Sequence, residues 1–378
     1  MMKKILCVLP KVTGGGAEKF LISFLNNVDT SRYEMYLVLA RRGPFDHEIS
    51  KGVHVHILIE HSMSAKLLAP TGPFRYVLSL KQSIKEINPD AIISFGSLLN
   101  GSVSLSAKLL GFSNRVLLIE AIHESSEIRQ HSLLERLFRT SFLKLTYPLA
   151  STVVAISEDV ASDLTENFGI SKNLKTIYYG LDVEKVRLLS NESVEHRWFQ
   201  RPKSFSTIVT CGRLVEQKGF SILINAMTKV FQNIKLVIVG DGEQRDMLDE
   251  KISDLHLQKR IEIIGYDRNP YRYISKADLF VMPSLWEGFG LVLLEAIALG
   301  VPVIASDCPS GPRTILMDGE CGVLVPPGDS DSLAQAINDL VKDSEVSTRL
   351  SLNAYKRAED FSIKKTVNNY LDLVEDIA

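Results

Sequence analysis

Residues 279–296 read Leu279-Phe280-Val281-Met282-Pro283-Ser284-Leu285-Trp286-Glu287-Gly288-Phe289-Gly290-Leu291-Val292-Leu293-Leu294-Glu295-Ala296. The apolar run up to Pro283 has the length of a buried strand, and proline cannot donate to a sheet ladder, so the strand ends there. Glycines at 288 and 290 then lead into a second apolar run. That spacing predicts a helix beginning near Gly290, whose first amides have no acceptor inside the helix and suit an anion. Glu287 sits in the loop ahead of it. Glu295 lies among Leu293, Leu294, Ala296 and Ile297, a carboxylate on an apolar helix. Such a group is seldom buried without a partner. A structural capping pair and hydrogen bonding to ligand hydroxyls are the two uses open to it.

The same strand–loop–helix grammar extends in both directions. Towards the N-terminus of this half, Thr207–Cys211, Lys235–Gly240 and Ile261–Ile264 read as strands; beyond it, so do Val303–Ser306 and Gly322–Val325. In the first half Lys4–Pro10, Glu34–Ala40, Ala91–Phe95, Val116–Glu120 and Thr152–Ile156 are buried strands. Between them Ala17–Val28, Phe74–Ile87, Leu98–Leu110 and Leu133–Leu145 carry helical periodicity. Near-continuous apolar strands alternating with amphipathic helices predict parallel sheets covered by helices, an α/β class. Lys175–Tyr179 closes the first series at Gly180, and residues 185–205 are polar and lack a clear period. Two doubly wound halves joined near residues 180–205 fit the 378 residues better than one oversized core. Ligands of open α/β sheets bind at the carboxyl ends of strands, so the expected site is the cleft where two such halves face each other.

Composition narrows the partners. Forty-three Lys and Arg against 45 Asp and Glu give a net charge of −2, without the basic excess of a nucleic-acid binder, so no nucleic acid is expected. The apolar run of Ile5–Leu9 stops at Pro10, too short for a signal-peptide core, and reads as a first strand. No run reaches the roughly 18–20 apolar residues of a membrane span. Cys7, Cys211, Cys308 and Cys321 are far apart with no C-x-x-C pair, which argues against structural zinc and for a reducing cytoplasm.

Other connections carry candidate chemistry. Thr13-Gly14-Gly15-Gly16-Ala17-Glu18 follows the first strand, where glycines let backbone approach a ligand at a helix start. It does not have the G-x-G-x-x-G spacing of a dinucleotide fingerprint. Cys211-Gly212-Arg213-Leu214-Val215-Glu216-Gln217-Lys218-Gly219 places a guanidinium fork and an ammonium on one connection, suited to phosphate oxygens. Val239-Gly240-Asp241-Gly242-Glu243 reads as a tight turn and wall of the site. His54 and His56 share one face of a strand without further metal ligands, and Asp329-Ser330-Asp331 reads as a helix cap.

Taken together, Gly15-Gly16-Ala17-Glu18, Gly212-Arg213…Lys218-Gly219, Val239-Gly240-Asp241-Gly242 and Glu287-Gly288-Phe289-Gly290…Glu295 resemble a retaining glycosyltransferase of family four with the GT-B fold. The resemblance runs over nearly the whole chain and is strongest from Thr207 to Asp329. Gly265-Tyr266…Asn269-Pro270-Tyr271 and Asp307-Cys308-Pro309-Ser310-Gly311-Pro312 resemble members that build bacterial surface polysaccharides or lipid-linked oligosaccharides. It implies two Rossmann-like domains facing across a deep cleft: residues 1–180 for the acceptor and 181–363 for the donor, with a terminal helix at about 364–378 packing back on the first. It implies that Arg213 and Lys218 bind the pyrophosphate of a nucleotide-sugar donor and that Glu295 binds the ribose hydroxyls. Glu287 would hold the donor sugar, the amides of Phe289, Gly290 and Leu291 would lie against sugar and phosphate, and Tyr266 would flank the base. Gly15 and Gly16 would close over the phosphates, and His123, after the strand Val116–Ala121, would touch the donor sugar.

The reaction implied is transfer of a hexose or N-acetylhexosamine, UDP-linked, to a glycan or lipid-linked acceptor, with no metal and no cofactor beyond the donor substrate. Thr314 departs from the glutamate common in relatives. A nucleotide-sugar epimerase of similar fold and a non-catalytic partner of a transferase complex are the rival classes; the arrangement of Glu287 and Glu295 speaks against the first, and the intact Arg213, Lys218 and His123 against the second. Residues 128–148 alternate Arg129, Arg136, Arg139 and Lys144 with Leu133, Leu134, Leu137, Phe138, Phe142 and Leu145. That pattern suits either a packed helix with a solvated face or peripheral contact with an anionic membrane, on the inner face of the cytoplasmic membrane.

Overall fold

The computed structural model describes residues 2–12, 15–44, 46–58, 72–200, 202 and 204–377, with residues 72–75 as backbone. Thr13 and Gly14 of the first glycine loop lie outside the described residues. The chain forms two compact units, Met1–Gly180 with Ile363–Ala378, and Leu181–Ser362.

The first unit runs β1 (Lys3–Leu9), α1 (Gly16–Asn27), β2 (Tyr33–Leu39), β3 (His54–Ile57), α2 (Gly72–Ile87), β4 (Ala91–Phe95), α3 (Ser97–Leu110), β5 (Val116–Glu120), α4 (Glu124–Ile128), α5 (Leu133–Thr146), β6 (Thr152–Ala155), α6 (Glu158–Phe168) and β7 (Leu174–Thr176). Its sheet is parallel in the order β3-β2-β1-β4-β5-β6-β7. Ile5 to Leu9, Ala91 to Phe95 and Val116 to Glu120 are buried throughout, as expected of strands covered on both faces. The helices have readable ends. Ser157 accepts from the Val160 amide to start α6, and Gly169, at φ +70°, stops it.

The second unit runs α7 (Val183–Leu189), β8 (Ser206–Cys211), α8 (Phe220–Ala226), β9 (Ile234–Val239), α9 (Arg245–Asp254), β10 (Ile261–Gly265), α10 (Tyr271–Ile274), β11 (Leu279–Met282), α11 (Leu291–Ala298), β12 (Val303–Ser306), α12 (Pro312–Ile315), β13 (Val323–Val325), α13 (Ser330–Lys342) and α14 (Ser344–Arg357). Its parallel sheet has the order β10-β9-β8-β11-β12-β13. Asp329 caps α13 by accepting from the Asp331 and Ser332 amides. The polar stretch 185–205 differs from its sequence reading. It holds α7, capped by Asp182 on the Lys185 amide at 3.0 Å, and it buries Trp198 and Phe199. Two helical turns are too few for a period to show, and two isolated aromatics make no pattern.

The last helix, α15 (Ile363–Ile377), belongs to the first unit. Its apolar stripe buries Ile363, Val367, Tyr370 and Val374, each worth roughly 1.5–3 kcal/mol by area removed from water. Tyr370 meets Phe24 of α1 edge-on at 5.9 Å, and Thr366 donates to the Tyr178 carbonyl at 3.2 Å. Gly180 admits the helix start, since a Cβ there would sit 2.7 Å from the Ile363 Cα.

At the carboxyl edge of the second sheet the strand-to-helix turns touch backbone to backbone. A Cβ on Gly240 would lie 1.9 Å from the Gly212 carbonyl oxygen, one on Gly219 2.0 Å from that of Pro283, and one on Gly311 1.8 Å from that of Phe289. Gly219 and Gly311 also have left-handed φ values of +63° and +96°. Hydrogen bonds complete the clasp: the Leu214 amide donates to Asp241, Leu285 to Gln217 and Glu287 to Pro309. Gly219→Ala is expected to lower the unfolding free energy of this unit by roughly 2–4 kcal/mol, from left-handed strain plus overlap with backbone. Gly265→Ala, at φ +82° but with nothing within 4 Å, should cost only about 1 kcal/mol. Denaturant midpoints followed through Trp198 and Trp286, both in this unit, separate the two outcomes.

Candidate functional site

In the second sheet β9 lies on one side of β8 and β11 on the other, so the winding direction reverses between β8 and β11. Loops leaving the carboxyl ends of strands at such a point are where open α/β sheets bind ligands. The loop after β8 carries Arg213 and Lys218, and the loop after β11 carries Ser284, Glu287, Phe289 and Gly290.

The two loops meet through an ion pair. The Lys218 stem lies over Gly212, with carbons 3.6 Å from where a Cβ would stand, and its Nζ donates to Glu287 Oε1 at 2.6 Å. Ser284 Oγ donates to the same oxygen at 2.7 Å. Glu287 is only 5% exposed, so its charge is held by a cation and a hydroxyl rather than by water. Gln217 Nε2 donates to the Trp286 carbonyl at 3.0 Å, pinning the loops a second time. Burial, with the Glu287 carboxylate adding to it, pushes the neighbouring Cys308 thiol well up, which keeps it protonated and inert.

The chain enters α11 through Gly290 at φ +88°, so Leu291 begins the helix and its first-turn amides have no acceptor within it. Phe289 is buried edge-on against Phe361 at 5.6 Å. Glu295, further along α11 and 3% exposed, accepts from the Tyr271 hydroxyl at 2.9 Å. Arg213 is exposed and forms no ion pair among the described residues. Tyr266 is 58% exposed, directly after Gly265. Thr314 lies in α12, its carbonyl accepting from Arg357. The loops after β8 and β11 thus bring Lys218, Ser284 and Glu287 together, with Arg213, Phe289 and Gly290 on the same two loops and Glu295 further along α11.

Two family comparisons match successive parts of the chain. "Glycosyltransferase Family 4" matches residues 14–185, and "Glycosyl transferases group 1" matches residues 192–357. The chain belongs to glycosyltransferase family four. It is 27% identical over 375 residues to the Campylobacter jejuni N-acetylgalactosamine-N,N'-diacetylbacillosaminyl-diphospho-undecaprenol 4-alpha-N-acetylgalactosaminyltransferase, covering 98% of this chain and 99% of the relative. It is 26% identical over 366 residues to the lipopolysaccharide core biosynthesis glycosyltransferase LpsD of Rhizobium meliloti, covering 96% of each. Among solved structures the Anabaena protein HepE, in complex with UDP, superposes with a TM-score of 0.80 at 22% identity, covering 99% of this chain and 100% of HepE. The fold of this glycosyltransferase is GT-B.

The first unit of the transferase repeats the reversal between β1 and β4. In the loop after β1 the Gly15 amide donates to Glu18 Oε2 at 2.8 Å, and Gly15 has an ordinary φ of −71°. Gly15 is therefore the capped start of α1, with Gly16 its first residue. Its φ means that glycine is not required at 15 by backbone angle, and the bond to Glu18 means that its amide is not a free donor.

His123, after β5, is the N-cap residue of α4 and is largely buried. Its Nδ1 lies 3.0 Å from Ser126 Oγ, 3.3 Å from Ser125 Oγ and 3.7 Å from Asp163 Oδ2. Behind it sits a group that the sequence reading passes over. Glu120 and Glu124 are both fully buried. Glu120 accepts from the Tyr147 hydroxyl and from the Ala121 amide at 3.0 Å, and Ser97 Oγ bridges Glu120 and Glu124. Asn100 Nδ2 donates to the Tyr147 hydroxyl at 3.2 Å. Neither carboxyl forms an ion pair among the described residues, and the Arg139 charge opposes the effect of burial on Glu124 without cancelling it. Burial, and then the Glu124 charge, push Glu120 well above the carboxylate range, and burial pushes Glu124 up to about 7. The signal available was the acid ending Val116-Leu117-Leu118-Ile119-Glu120, a carboxylate at the end of an all-apolar strand.

These raised values have a definite sign. A carboxyl that keeps its proton more tightly in the folded state contributes stability that is complete below about pH 4.5 and is lost as pH rises through about 7. Glu124→Gln should therefore raise Tm at pH 8, by roughly 1–3 kcal/mol of stability, and change little at pH 4.5. Calorimetric melts of both proteins across that range test it; equal gains at both pH values would contradict it.

Proposed function

We propose that this family-four glycosyltransferase moves a hexose or N-acetylhexosamine from a UDP-linked donor to a glycan or lipid-linked oligosaccharide, with retained anomeric configuration and without a divalent cation. The observation that carries the reading is the Lys218–Glu287–Ser284 cluster at the β8/β11 reversal, beside the start of α11. Arg213 and Lys218 are to bind the donor pyrophosphate, Lys218 being shared between phosphate and Glu287. Cations and unpaired helix amides at that point stabilise the leaving nucleoside diphosphate, the charge that a metal would otherwise meet. Glu295, steadied by Tyr271, is to accept from the ribose hydroxyls, and Glu287 from those of the donor sugar. The first-turn amides at Gly290 and Leu291, with Phe289, are to lie against sugar and phosphate, and Tyr266 is to flank the base.

In the first unit His123 is to meet the donor sugar, and Gly16 is the nearer candidate for the phosphates now that the Gly15 amide is engaged. Retention is to follow from attack on the face the leaving phosphate vacates, with that phosphate helping to take the acceptor proton. The protein then orients and stabilises charge rather than supplying a strong base. The Anabaena complex with UDP supports the base, and the undecaprenol-linked acceptor in the Campylobacter relative's name supports the acceptor class.

Exposed side chains on α5 support the membrane reading over the packed one. Leu134 and Leu145 are 80% and 73% exposed, Leu133 and Leu137 are also uncovered, and Arg136 and Lys144 are exposed on the same helix. No described helix is long and apolar enough to cross a membrane. Peripheral contact of α5 with an anionic bilayer, at its cytoplasmic face, is the proposed arrangement.

Lys218→Ala and Glu295→Ala are each expected to lower kcat/KM by roughly 10²–10³. Purified folded variants, incubated with a panel of nucleotide sugars and lipid-linked acceptors in the presence of a chelator, read both products. Near-normal turnover by both variants would remove the assignment. Leu134→Glu combined with Leu137→Glu should cut co-sedimentation with phosphatidylglycerol-containing vesicles roughly tenfold or more, and unchanged binding would remove α5 as the contact.

A further inference from the structure

His123 is held from one side. Among the described residues its contacts converge on Nδ1, from Ser125, Ser126 and Asp163, and no described group lies in hydrogen-bond range of Nε2. Asp163 comes from a different element, α6, and its side chain is fully buried. Its Oδ2 accepts the Ser125 amide at 3.0 Å, and its Oδ1 accepts Asn167 Nδ2 at 2.8 Å. The first of these bonds matters to α4. That helix is five residues long, its N-cap is His123, and the imidazole makes no cap bond of its own. Asp163 supplies the missing cap from outside, so a single buried carboxyl anchors the backbone that carries His123 and sits beside its ring.

We propose that Asp163 is the positioning residue for His123: it fixes the ring in the tautomer with the proton on Nδ1, leaving Nε2 as a hydrogen-bond acceptor for a donor-sugar hydroxyl. The two ring nitrogens of a neutral imidazole have opposite roles, and the partner of one sets the role of the other. An acceptor-only carboxyl near Nδ1 favours N–H there, and the serine hydroxyls can accept from it. Nε2 is then left with a lone pair aimed away from Asp163. This deepens the proposed function and rests on its assignment of His123 to the donor sugar.

The test uses the full chain labelled with 15N-histidine, the His123 signals being assigned by their loss in His123→Gln. In the unaltered protein the neutral His123 ring is expected to carry its proton on Nδ1. Asp163→Asn keeps an acceptor for the Ser125 amide but removes the charge. It should shift the ring towards the Nε2–H form and lower kcat/KM for the donor roughly tenfold to a hundredfold. A role in folding alone would lower Tm and leave the tautomer where it was. Nε2–H in the unaltered protein overturns the proposal, whether or not Asp163→Asn folds; so does an unchanged tautomer in the variant. Should His123→Gln transfer sugar at the unaltered rate, the assignment of His123 falls, and the ring spectrum still decides the role of Asp163.

Discussion

Gly219, Gly240 and Gly311 bring backbone within van der Waals contact of backbone along the carboxyl edge of the second sheet. Everything proposed for that unit depends on this approach. Parallel strands about 4.8 Å apart deliver their connecting loops close together, and any side chain between them would force the loops to part. With hydrogen in place of Cβ, the β8 loop rests on the β11 loop, and Lys218 reaches Glu287 at 2.6 Å. The glycine pattern is thus the condition that brings a cation from one connection to a carboxylate on another.

Four buried glutamates show how differently one residue type can be satisfied. Glu287 has an ammonium and a hydroxyl, and Glu295 has the Tyr271 phenol. Glu120 and Glu124 have hydroxyls and an amide but no ion pair among the described residues, and the Arg139 charge only partly offsets the burial of Glu124, so protonation relieves the cost of burying them. The near-neutral net charge conceals this, because a sum over the chain does not record which charges face each other. Buried acids with no ion pair among the described residues lie next to His123 in sequence, and the His123 ring and backbone are steadied by Asp163 from another helix.

Much of the architecture was legible because it rests on local pattern. Ala91–Phe95 and Val116–Glu120 are strands with the expected bounds, since a strand covered on both faces reads as a near-continuous apolar run, broken here only by Ser94 and the terminal Glu120. The segment 185–205 was not legible: a seven-residue helix and two buried aromatics leave no period. Lys218 and Glu287 do meet at one sheet edge, because the ends of β8 and β11 carry their loops there whatever the side chains are. Two further partners, Ser284 for Glu287 and Tyr271 for Glu295, were not readable. Tyr271 lies on the separate α10, and its distance from Glu295 is set by packing rather than by spacing along the chain.

By itself the sequence determined strand and helix order, the two-sheet organisation and the family, all properties of periodicity and of motifs confined to a few adjacent residues. Tertiary structure alone decided that the Gly15 amide belongs to Glu18, that Lys218 is already paired, and that leucines on α5 lie uncovered. It also decided that Asp163 stands behind His123. The reason is physical: local pattern follows from the chain's own geometry, whereas a buried group's partner depends on which elements the sheet order sets side by side.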